Sequence, residues 1–93
     1  MTTLPVRDAE LLLAEYTAGT WEPTGEERAL AESLALSALS PSSFRAGLRE
    51  GPPGRLTTAL APVTAAMETT AVTPSTEDLR PVRQLLDALA PAL

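Results

Sequence analysis

The chain has 93 residues, seven Arg against twelve acids for a formal net charge of −5, and neither Cys nor His. It also lacks Lys, Asn and Ile. These absences exclude disulfides, the usual structural zinc sites, imidazole- or thiolate-based hydrolases, and the Schiff-base and P-loop chemistry that needs lysine. The acidic balance is a poor one for binding nucleic acid, so no direct nucleic-acid contact is expected.

One domain over residues 1–93 is expected from the length. No stretch of about twenty apolar residues occurs, and the start lacks the pattern of a signal peptide, so a cytoplasmic chain with no membrane contact is expected. Apolar residues recur at three and four, and β-branched apolar content is limited to four Val. The pattern predicts an all-α fold, a small bundle of four to five short helices.

The first helix is predicted over about 6–18, with Val6, Ala9, Leu12, Leu13 and Tyr16 on one face and Leu11 nearly opposite. Asp8 and Glu10 suit the positive end of its dipole, and Gly19 suits its C-terminal cap. Trp21 falls in the following loop. Thr24 and Glu27 read as a capping box opening a second helix over about 24–39. Leu30 and Leu34 lie on one side of that helix, Leu36 and Leu39 on others, and no charge occurs between Glu32 and Arg45.

Ser40-Pro41 signals a third helix over about 41–50, with Phe44 and Leu48 one turn apart. Gly51-Pro52-Pro53-Gly54 breaks the chain. Leu56, Leu60, Val63 and Met67 then form a stripe over about 55–68, which Pro62 is expected to kink or split. A last helix is predicted over about 75–90, disturbed by Pro81, with Leu79, Val82, Leu85, Leu86 and Leu89 on its apolar face.

No enzyme is expected and no cofactor is implied. The acid pairs Glu26-Glu27 and Glu77-Asp78 both fall in first turns of predicted helices, where the dipole favours them. A helix-turn-helix reading of Leu30 to Arg49 lacks the usual turn glycine and has too long a linker. An exposed i, i+4 face accounts for Arg45 and Arg49 more simply. Leu11, Tyr16, Trp21, Leu36 and Leu39 are the candidate partner-binding residues, and the acidic surface favours a basic partner.

The run Glu10-Leu11-Leu12-Leu13-Ala14-Glu15-Tyr16-Thr17-Ala18-Gly19-Thr20-Trp21 resembles the opening of ChrR-type anti-sigma domains. That family continues with a His-x3-Cys-x2-Cys zinc motif. Here Ser33-Leu34-Ala35-Leu36-Ser37-Ala38-Leu39-Ser40 has the same spacing, with Ser33 at the His position and Ser37 and Ser40 at the two Cys positions. Ala71-Val72-Thr73-Pro74 through Leu89 is also similar to that domain's fourth helix. The resemblance implies a binding domain whose partner is an extracytoplasmic-function sigma factor, held closed and kept from RNA polymerase. It also implies a zinc site whose ligands are all replaced, so the domain would be zinc-free. Other small helical interaction modules (an antitoxin, a docking domain, a phage assembly chaperone) share the composition. A homodimer through the same apolar faces is a further arrangement open to it.

Overall fold

The computed structural model describes residues 4–37, 40–69 and 75–90. Five helices follow in chain order: α1 (Arg7–Ala18), α2 (Gly25–Leu36), α3 (Pro41–Glu50), α4 (Arg55–Thr69) and α5 (Arg80–Leu89). Among the described residues there is no strand. The all-α bundle expected from the apolar spacing is what forms.

Each helix packs on two others in a closed circuit: α1 on α4 and α5, α2 on α3 and α5, and α3 on α4. The stripes read from the sequence point into this circuit. Leu56, Leu60, Val63 and Met67 of α4 are buried, as are Leu79, Val82, Leu85, Leu86 and Leu89 at α5. Ala9 and Leu12 of α1 are buried, with Val6, Leu13 and Tyr16 packed at the margin. Leu30, Leu34 and Phe44 complete the core from α2 and α3. The radius of gyration, 12.2 Å, matches the roughly 12 Å of a compact chain this long.

The caps are chemical and mostly local. Gly19 adopts φ +79°, donates its N–H to Tyr16 O, and lets Thr20 N reach Glu15 O at 2.9 Å. This is a Schellman closure, and the left-handed position favours glycine. Thr24 and Glu27 form the expected capping box: Thr24 Oγ1 accepts from Glu27 N, and Glu27 Oε1 accepts from Thr24 N, both at 3.1 Å.

Gly47 and Gly51 set how closely α2 and α3 meet. A Cβ on Gly47 would lie 2.8 Å from Leu34 Cδ2, and one on Gly51 would lie 2.7 Å from Leu30 Cδ2. Leu34 is fully buried, so its methyl cannot turn out into solvent without leaving the core.

Several expectations are corrected. α2 ends at Leu36 with Ser37 as its C-cap, not at 39, and positions 38 and 39 lie outside the described residues. Pro62 does not split α4, which runs unbroken from Arg55 to Thr69. Pro62 sits on the exposed side, where water can satisfy the carbonyl that loses its donor. α5 begins at Arg80 rather than 75. Residues 76–79 form a turn, closed by Ser75 Oγ accepting from Asp78 N and Asp78 Oδ2 accepting from Ser75 N. Pro81 then falls at the first helical positions, where its missing N–H has no helical partner to lose. Ser40 is the N-cap of α3 in position, but its side chain makes no capping hydrogen bond. No described helix is long and apolar enough to cross a membrane.

Candidate functional site

The serine triplet lies where α2 hands over to α3. Ser33 is exposed on α2, Ser37 caps that helix, and Ser40 precedes α3. Ser37 Oγ donates to the Ser33 carbonyl at 3.0 Å, and Ser40 N donates to the Ser37 carbonyl at 3.2 Å. The Ser37 hydroxyl thus serves the helix end. Neutral hydroxyls are poor zinc ligands beside thiolate or imidazole, so these residues do not fit the metal that the family spacing would place there. No cluster of three acidic side chains suited to a metal ion occurs among the described residues either.

One acid of each pair serves the fold, Glu27 and Asp78. Glu27 is 6% exposed. While Oε1 closes its own capping box, Oε2 accepts from Leu56 N at 3.2 Å, at the first turn of α4. Gly54 makes room for it: a Cβ there would stand 3.1 Å from Glu27 Oε2. The Gly51–Gly54 breaker therefore seats a carboxylate as well as turning the chain. Asp78 closes the turn before α5. Sequence reasoning placed Glu27 at its own helix end but missed its second partner, 29 positions away.

Of the candidate partner-binding residues, Leu11 and Leu36 are exposed, at 53% and 69%. They stand on different helices, Leu11 on α1 and Leu36 at the end of α2. Tyr16 is half-buried against the core. Leu39 lies outside the described residues. Trp21 is not an exposed loop residue: it is 7% exposed and belongs to the core. The Schellman turn folds it back, so that its ring meets Tyr16 edge-on at 6.2 Å and 72°.

Arg55 joins these aromatics to α1. Its guanidinium lies 5.9 Å from the Trp21 ring centroid. It donates to both Glu15 carboxylate oxygens, Nη1 to Oε1 at 2.9 Å and Nη2 to Oε2 at 2.6 Å. Such a fork fixes direction as well as distance. The hydrogen bond from Arg55, with its charge, holds Glu15 below the usual carboxylate range. The same pairing raises Arg55.

Between α1 and α4 runs an open groove of about 440 Å³. Asp8, Leu11, Leu12 and Glu15 line one wall, one stripe of α1 at i, i+3, i+4 and i+7. Gly54, Arg55, Thr58 and Ala59 line the other. Leu11 is therefore an exposed aliphatic side chain in a concave setting. Neither the groove nor the Arg55–Glu15 wall was legible from spacing, because both depend on α1 and α4 meeting. Comparison with protein families, curated proteins and solved structures finds no match to this chain.

Proposed function

We propose that the chain is a zinc-independent protein-binding domain of anti-sigma type, whose partner is an extracytoplasmic-function sigma factor. The observation that carries the binding role is Leu11, an aliphatic side chain 53% exposed within a groove rather than on a convex face. Apolar side chains in concave sites are common anchors for partner helices. The sigma-factor identity is supported by the resemblance of Glu10 to Trp21 and by the Ser33, Ser37 and Ser40 spacing. The domain would act by occlusion, covering surfaces its partner needs elsewhere, with no chemistry of its own.

Affinity purification of the folded chain from its host tests this. Recovery of a sigma factor, and a 1:1 complex by light scattering, is the expected result. If the folded chain retains other proteins and never a sigma factor, the anti-sigma reading fails. Leu36, exposed on a second helix, is equally available to the other small interaction modules that share this composition. Recovery of a toxin or a structural protein would favour those.

A further inference from the structure

We infer that the α1–α4 groove takes a basic amphipathic helix, anchored by one large aliphatic residue with an Arg or Lys about one turn away. The inference deepens the binding role proposed above by naming the chemistry of the occupant, and it does not require that occupant to be a sigma factor.

Two neighbouring helices form the walls of the groove, with Asp8, Leu11 and Glu15 on α1 and Arg55, Thr58 and Ala59 on α4. A third helix laid along them would bury Leu11 against its own aliphatic face. The charge pattern selects the sign of that helix. Arg55, the cation of the groove, is spent: Glu15 holds both of its terminal nitrogens, and Trp21 takes its face. Asp8 is exposed and has no ion-pair partner among the described residues.

The groove therefore offers a free carboxylate beside its apolar centre, and its one cation is already engaged. The net charge of −5 adds long-range attraction for the same kind of partner.

The test uses the full chain and a synthetic Leu/Lys peptide, amphipathic and about four helical turns long. Its counterpart has every Lys replaced by Glu. Binding is read by fluorescence anisotropy of the labelled peptide at physiological salt. The Leu/Lys peptide is expected to bind and the Leu/Glu peptide is not. Leu11→Gln and Asp8→Arg are each expected to weaken binding about tenfold, while Ala46→Gln, exposed on α3 away from the groove, leaves it unchanged. All three positions are exposed, and equal melting curves check that the variants fold. Equal binding of the two peptides, no binding of either, or full binding by Leu11→Gln and Asp8→Arg would overturn the inference. The two proposals fail separately. A sigma factor retained undiminished by Leu11→Gln removes the groove and keeps the sigma reading. A Leu11-dependent peptide complex without any sigma factor does the reverse.

Discussion

Glu27 and Leu56 are joined by a buried hydrogen bond in which the Leu56 N–H donates to Glu27 Oε2 at 3.2 Å. The same carboxylate already closes α2 through Thr24, so one side chain satisfies orphan N–H groups of two helices. Glu27→Gln keeps one acceptor and offers an amide where a second is needed. Loss of about 1–3 kcal/mol in urea unfolding is expected, since a buried donor would be left without a partner. Glu27→Ala removes both bonds and should cost more than Glu27→Gln. Equal stability of wild type and Glu27→Gln would show that the α4 bond contributes nothing.

The α2–α3 contact gives a contrast within one residue type. Gly47→Ala and Gly51→Ala push a methyl into Leu34 and Leu30, and each should cost roughly 1–3 kcal/mol through overpacking. Gly25→Ala meets nothing within 4 Å in the first turn of α2, so it should be neutral or stabilise by about 0.4–1 kcal/mol. Thermal melts of the three variants separate close packing from backbone freedom.

The Arg55–Glu15 fork should appear as a pH dependence. Glu15 has a lowered pKa in the folded chain, so its contribution is present above the ordinary carboxylate value of 4.5 and is lost as pH falls through the lowered folded value. Wild type and Glu15→Gln should differ in melting temperature at neutral pH and converge in acid. The difference should also shrink with added salt, because both side chains are partly exposed. A gap that persists unchanged to strongly acid pH would refute this origin.

Chelators and thiol oxidants should leave the fold unchanged. The caps and core described above use backbone, carboxylate, guanidinium and hydroxyl groups, and the chain has neither Cys nor His. Identical circular dichroism and melting curves with and without EDTA or diamide are expected. Unfolding by EDTA would point to a metal held by oxygen ligands alone.

What the sequence disclosed divides along physical lines. The buried stripes of α4 and α5 were legible because a helix buries one face, and that face repeats at three and four. Gly19 and Thr24 were legible because a cap acts within a few residues of itself. Trp21 was misjudged because a loop position says nothing of where the loop returns. Its burial depends on Tyr16 and on Arg55, the latter 34 positions away in the sequence. The pairing of Glu15 with Arg55 and the fit of Gly47 to Leu34 are hidden for the same reason: each is a property of two helices meeting. Pro62 reads as a kink or split because an interior proline costs a hydrogen bond, and α4 nonetheless runs through it unbroken. That cost is smaller on a wet face than in a core.

The closed circuit of helices bears on how the chain acquires its structure. α5 is the last of the five helices in chain order, yet it packs on both α1 and α2. Until it arrives, α1 has only α4 beside it and α2 only α3, and the faces of both that α5 covers remain open to water or to another chain. During synthesis the earlier helices would wait, incompletely buried, for α5 to emerge. α5 then seals the ring, with Arg83 donating to the Ala35 carbonyl near the C-terminal end of α2 at 3.1 Å.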